Sequence, residues 1–238
     1  MANNRQILVK EIPEGTLEER HFELRDAPIP TPGDGEVLTR TIYLSLDPAN
    51  RAWMRGATYR APVAAGDVMA GFTVAEVVDS RDPGFRLGDL VECSSGWQEH
   101  AVHPAGALGR LEPRGPLSHH LSVLGGTGLT AYFGLLEIGQ PRAGETVLVS
   151  AAAGATGNVA GQIARILGCR TVGLAGSAEK CAWLTGELGF DAAINYKPEE
   201  IRQALKERCP DGIDVYFDNT GGEILQAALF RMNLRGRV

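Results

Sequence analysis

The chain has 238 residues, 44% of them hydrophobic and 22% charged, with a formal net charge of -6. It has enough apolar residues for a substantial core, while its interspersed charges leave no basic face for nucleic acid and no apolar run reaches membrane-spanning length. The opening Met1-Ala2-Asn3-Asn4-Arg5 leads into a polar segment without a signal-peptide core, so the chain reads as cytoplasmic, with neither nucleic acid nor membrane as a partner.

The first hundred or so residues read as β-rich. Pro28, Pro30, Pro32, Gly33 and Gly35 form a stiff entry to a strand over residues 36–45, and a second strand covers 72–79. A Gly88-Asp89 turn precedes a strand over 90–93, for which residues 97–103 look like the partner. Short strands with Gly/Pro punctuation suggest a small barrel or sandwich, and no helix of normal length is evident. Residues 46–59 read as a loop rich in polar and aromatic side chains, the kind of segment that carries binding groups. Within it Trp53 and Met54 are equally readable as core, and Arg51 and Arg55 as solvated.

Near Ser118 the pattern lengthens to helical periodicity over 118–124 and 129–136, around Gly125-Gly126-Thr127-Gly128. The domain boundary falls here, giving a first domain over 1–121 and a second over 122–238. His119 and His120 are adjacent and project apart on a helix, so they read as a solvated pair rather than a metal site. Cys93, Cys169, Cys181 and Cys209 lack the spacing of a zinc knuckle or a disulfide framework, so they read as free thiols.

The most informative stretch runs from Val147 to Ile163. An apolar run, Val147-Leu148-Val149, stops at a small-residue turn with Gly154 and Gly157 and resumes with helical periodicity, as a buried parallel strand feeding a phosphate-binding helix does. Small residues let a pyrophosphate approach the main chain, where the helix start supplies free N–H donors and a favourable dipole. Gly161 lets the helix lie close to the sheet. The pattern is Ala-x-x-Gly-x-x-Gly, a weak match to the dinucleotide fingerprint on its own.

Strands over 146–150, 171–175, 192–195 and 213–217 then alternate with helices over 158–167, 178–188 and 199–208, which means a parallel, doubly wound sheet with its ligand at the carboxyl ends of the strands. After residues 171–175 an NAD site places an acidic residue, but here the chain reads Gly176-Ser177-Ala178-Glu179-Lys180. Ser177 and Lys180 suit a 2′-phosphate; Ser177 also suits an N-cap, and one hydroxyl serves both.

These residues together resemble the zinc-independent medium-chain dehydrogenase/reductases, in their NADPH-dependent alkenal, prostaglandin and curcumin reductase branch. The matching pieces are Leu46-Asp47-Pro48 with Arg51, Arg55-Gly56-Ala57-Thr58-Tyr59, the 151–157 turn with Gly161-Gln162-Ile163-Ala164, Gly176-Ser177 with Lys180, Asn195-Tyr196, and Phe217-Asp218-Asn219-Thr220-Gly221-Gly222. The resemblance implies an α/β chain, a GroES-like β-rich catalytic domain followed by a Rossmann domain, with NADPH in the cleft between them. It implies that Gly154, Ala155, Thr156 and Gly157 hold the pyrophosphate, that Ser177, Lys180 and Tyr196 hold the 2′-phosphate, and that Asn219 lies on the nicotinamide side. Zinc-dependent relatives carry a cysteine where Asp47 stands and a Gly-His-Glu near residues 66–71, so no metal is expected.

The implied reaction is reduction of the double bond of an α,β-unsaturated ketone or aldehyde, with the cofactor ribose hydroxyl and Tyr59 as candidate donors to the carbonyl and Tyr59 as a substrate-pocket residue. Family members run longer, and the resemblance expects the next Rossmann strand to be starting at residues 235–238. It therefore implies a sheet incomplete at the C-terminus, a truncated or fragmentary form, and a homodimer in the full-length one. Two other readings stand beside the reductase: a quinone reductase of the same superfamily and a non-catalytic NADPH-binding fragment.

Overall fold

The computed structural model describes residues 3–238 and divides the chain into two units, 1–121 and 122–238. In the first, β1 (Asn3–Val9) pairs antiparallel with β2 (Phe22–Pro28). After β3 (Glu36–Leu44) comes a helix, α1 (Pro48–Arg55), and then β4 (Thr73–Ser80), β5 (Leu90–Cys93), β6 (His100–Pro104) and β7 (Gly109–Arg110). These five strands form one antiparallel sheet in the order β6-β3-β4-β5-β7. Val37, Ala75, Val77 and Val91 bury one face of it.

Two expectations for residues 46–103 are corrected. The 46–59 segment is not all loop, because α1 occupies its centre. Pro48 sits at the first helical position, where its missing N–H costs nothing, and Asp47 and Asn50 cap each other across the first turn. Trp53 and Met54 are core, whereas Arg51 donates to the carbonyls of Pro13 and Gly15 and Arg55 to that of Glu14. Residues 97–103 do not pair with β5 either. Trp97 stacks on Phe22 with ring centroids 5.5 Å apart, and its main chain bonds to Met69 and Ile7, which draws the segment away. Its continuation, β6, lies along β3, while β5 is flanked by β4 and β7.

A 3-10 turn, Leu117–Leu121, replaces the start of the helix expected over 118–124. His120 on that turn is nine-tenths buried with Nδ1 3.1 Å from Glu92, so it is not one of a solvated pair. The four cysteines are free thiols, and burial pushes Cys209 up to about 11.

The second unit opens with α2 (Gly126–Phe133) and a π-helical turn, Gly134–Gly139. Helix α2 starts only at Gly126 because the N–H groups of Gly125 and Gly128 both close onto the Ser122 carbonyl, and Gly128 packs against Val123 where no side chain fits. Then β8 (Thr146–Val149), α3 (Ala155–Ile166), β9 (Arg170–Ala175), α4 (Ala178–Gly186), β10 (Ala192–Asn195), α5 (Ile201–Arg208), β11 (Ile213–Phe217), α6 (Gly222–Leu229) and β12 (Met232–Arg237) alternate as expected. The last strand is already six residues long, not just beginning at 235–238.

The sheet is all parallel in the order β10-β9-β8-β11-β12. Alternate residues feed two cores. Leu148, Val172, Leu174 and Tyr216 meet α5 and α6 on one face, while Val147, Val149 and Val215 meet Leu135, Ala164 and Leu184 on the other. Gly161 of α3 lies on the ring of Phe190, so the helix does sit close, and a Cβ there would run into the ring. Arg237 of β12 reaches Glu145 at 2.5 Å and also bonds the carbonyls of Gly139 and Gln140, tying the strand to the turn before β8. Among the described residues no helix is long and apolar enough to cross a membrane.

Gly161→Ala is expected to cost about 1–3 kcal/mol, read as a lower denaturation midpoint, because Phe190 must move. The Arg237 guanidinium holds the Glu145 carboxyl below its ordinary value of 4.5. Its contribution is therefore complete above that value and lost as pH falls through the folded pKa. Glu145→Gln should cost about 1–2 kcal/mol at neutral pH, a difference from the parent that closes in urea titrations run progressively below pH 4.5.

Candidate functional site

The strand order reverses direction between β8 and β11, and open α/β sheets bind ligands outside the carboxyl ends at such a point. The turn leaving β8 is drawn tight there. Ala151 takes φ 44°, an unusual value for a side-chain-bearing residue, and its carbonyl accepts from Gly154 N at 2.8 Å. A Cβ on Gly157 would collide with that same carbonyl, so the turn admits only glycine there. Gly154 is the N-cap of α3 and brings no side-chain cap to the helix. Gly154 and Ala155 are exposed, so a twelve-residue helix starts at the surface with no side chain of its N-cap residue capping it.

Beside it, the end of β11 is knotted to the end of β8. Asp218 Oδ1 accepts from Tyr216 Oη at 2.7 Å, Ser150 Oγ at 3.1 Å, and the main-chain N–H groups of Gly221 at 2.9 Å and Thr220 at 3.0 Å. Ser150 Oγ in turn accepts from Asn219 N at 2.8 Å, and Asn219 Nδ2 donates to the Ser150 carbonyl at 2.8 Å. Burial works against the Asp218 charge, but the donors from Gly221, Thr220, Tyr216 and Ser150 outweigh it and hold the carboxyl below its ordinary value. Burial pushes the Tyr216 hydroxyl up, so it stays a proton-bearing donor to Asp218. Asn219 is thus fixed through Ser150, beside the start of α3.

A second cluster lies at the ends of β9 and β10. Ser177 is the N-cap of α4 and accepts from Lys180 N at 3.3 Å, with the Lys180 side chain exposed in the first turn. Tyr196 follows β10, its N–H bonded to the Ala175 carbonyl. A Cβ on Gly176 would stand 2.7 Å from Tyr196 Oη and 3.4 Å from Lys197 Cε, so the absent side chain makes room for both.

Tyr59 belongs to the first unit and to neither cluster. It is 75% exposed on the loop after α1, with its ring edge-on to Trp53 at 6.0 Å. Sequence reasoning missed Ser150, Asp218 and Lys197 as site residues. The signal for the first two was a polar residue closing each of two apolar strands, but their pairing spans 68 residues. Among the described residues no three His, Cys, Asp or Glu side chains are grouped to hold a metal ion.

Comparison with known proteins matches residues 5–111 to the family described as "N-terminal domain of oxidoreductase" and 155–238 to "Zinc-binding dehydrogenase". NADPH-dependent curcumin reductase of Escherichia coli is 43% identical over 99% of this chain and 69% of its own length. The chain belongs to the medium-chain dehydrogenase/reductases. Within that superfamily the NADP(+)-dependent 2-alkenal reductase of Nicotiana tabacum is 42% identical over 100% of this chain and 71% of its own. The crystal structure of CurA in complex with NADPH from Vibrio vulnificus superposes with a TM-score of 0.92 at 40% identity, covering 98% of this chain and 69% of that one.

Ser150→Ala removes a donor to Asp218 and the acceptor for Asn219 N together. A loss of about 1–3 kcal/mol in chemical denaturation is expected, with the dependence on denaturant unchanged.

Proposed function

We propose that this chain binds NADPH and reduces the carbon-carbon double bond of α,β-unsaturated ketones and aldehydes. The observation that carries the reading is similarity, over 99% and 100% of this chain and 69% and 71% of the relatives' own lengths, to reductases named for NADPH and curcumin and for NADP(+) and 2-alkenals. Quinones are the less supported substrates.

The residues present suit the cofactor. Gly154, Ala155, Thr156 and Gly157 offer the uncapped first turn of α3 to a pyrophosphate, with Gly157 small enough for the tight turn. Tyr196 stands over a glycine at the end of β9 where an NAD site carries a carboxylate, and Ser177 and Lys180 follow it in the first turn of α4, an arrangement that favours a 2′-phosphate. Asn219, with one amide hydrogen committed to Ser150, keeps its Oδ1 to accept from a ribose or nicotinamide donor.

When bound, the cofactor supplies a hydride to the substrate's β-carbon. The protein's part is to meet the negative charge that grows on the carbonyl oxygen. Tyr59 is the donor offered for that oxygen, its phenol exposed on the loop after α1.

Calorimetry with NADPH and NADH tests the cofactor. Lys180→Ala should weaken NADPH about 10- to 100-fold and leave NADH nearly unchanged. NADPH oxidation should be faster with a simple enone than with a quinone. Equal loss for both cofactors overturns the assignment of Lys180, and quinone turnover without enone turnover overturns the reaction.

A further inference from the structure

The loop that carries Tyr59 is folded over a single side chain. Helix α1 ends at Arg55, and the chain then turns back so that Val63 N donates to the Trp53 carbonyl at 2.8 Å, satisfying one of the helix's otherwise unpaired last carbonyls. Inside this closed loop Thr58 N donates to the Arg60 carbonyl at 3.1 Å. Trp53 is only 1% exposed: it packs in the core with Val9, Met54, Val63, Met69 and Ala70, and three further side chains meet its ring. Tyr59 meets it edge-on at 6.0 Å and 89°, Phe72 edge-on at 5.8 Å and 82°, and the Arg60 guanidinium carbon stands 4.7 Å from the ring centroid.

The Trp53 Nε1–H is buried without an acceptor among the described residues. The indole is therefore fixed by what lies on and around its ring and not by a hydrogen bond of its own. A guanidinium over an indole is attracted to the ring's quadrupole, and this contact adds to the edge contacts made by Tyr59 and Phe72. Arg60 directly follows Tyr59, so anchoring its guanidinium on Trp53 restrains the backbone that carries the phenol.

We propose that Arg60 is a positioning residue for Tyr59: stacked on Trp53, it holds the 56–63 loop shut and presents the phenol in one orientation. This rests on Tyr59 serving the substrate, and it adds that the orientation of Tyr59 is set by a cation that does not itself contact the substrate.

Two measurements on the full chain test it, with Arg60→Met keeping the stem and removing the charge. Hydrogen exchange at the Thr58 and Val63 amides should rise about 3- to 10-fold in Arg60→Met, fall back in part in Arg60→Lys, and leave the β3–β4 amides unchanged. Unchanged exchange overturns the proposal. Enone turnover then separates positioning from direct action. Arg60→Met should lower kcat/KM severalfold in the parent, with partial rescue by Arg60→Lys, and should lower it no further in a Tyr59→Ala background. Additive losses overturn the proposal by showing that Arg60 acts without Tyr59. If Tyr59→Ala itself changes nothing, the reading of Tyr59 fails and the positioning role fails with it. If Tyr59→Ala matters and Arg60→Met does not, only the positioning role is lost.

Discussion

One carboxylate oxygen, Asp218 Oδ1, gathers the hydroxyls of Tyr216 and Ser150 and the main-chain N–H groups of Thr220 and Gly221. A half-buried charge is tolerable only when its desolvation is offset by donors, and the four offered here are drawn from two strands and from the turn beyond them. The ends of β8 and β11 are thereby fixed relative to each other at the point where the strand order reverses. Asn219, the part of the proposed cofactor site that lies there, inherits its geometry from that oxygen through Ser150.

The same economy of small residues runs through the rest of the parallel sheet. Gly173 in β9 leaves room for Ala152, Leu184 and Phe190, Gly161 in α3 accepts the Phe190 ring, and Gly157 clears the Ala151 carbonyl. Each is a place where helix, strand and turn approach more closely than a side chain permits. Together they bring the helix start down to the strand ends, where its donors can be used.

Much of this was legible in the sequence because it is local. The alternation of apolar runs with helical periodicity, the glycines after Gly154, the glycine in place of an acid at 176 and the isolated cysteines are read from neighbours in the chain. What was missed is non-local or short. Helix α1 has eight residues, little more than two turns and too few for periodicity to register, and only Asp47-Pro48 signals it. The partner of β6 is decided by Trp97 stacking on Phe22, a contact across 75 positions, and the Ser150–Asp218 bond joins residues 68 apart. A composition of strands can be read one at a time, but their pairing cannot.

Gly176 makes selectivity at the end of β9 a matter of occupied space as well as charge. Its missing side chain and the present pose of Tyr196 exclude any alternative to each other, since a Cβ there would lie 2.7 Å from the phenol oxygen. A carboxylate could enter this position only if the Tyr196 phenol moved from its present place. In evolutionary terms, one codon change at Gly176 that brought in a carboxylate would add charge to the proposed 2′-phosphate site and displace Tyr196 in the same step.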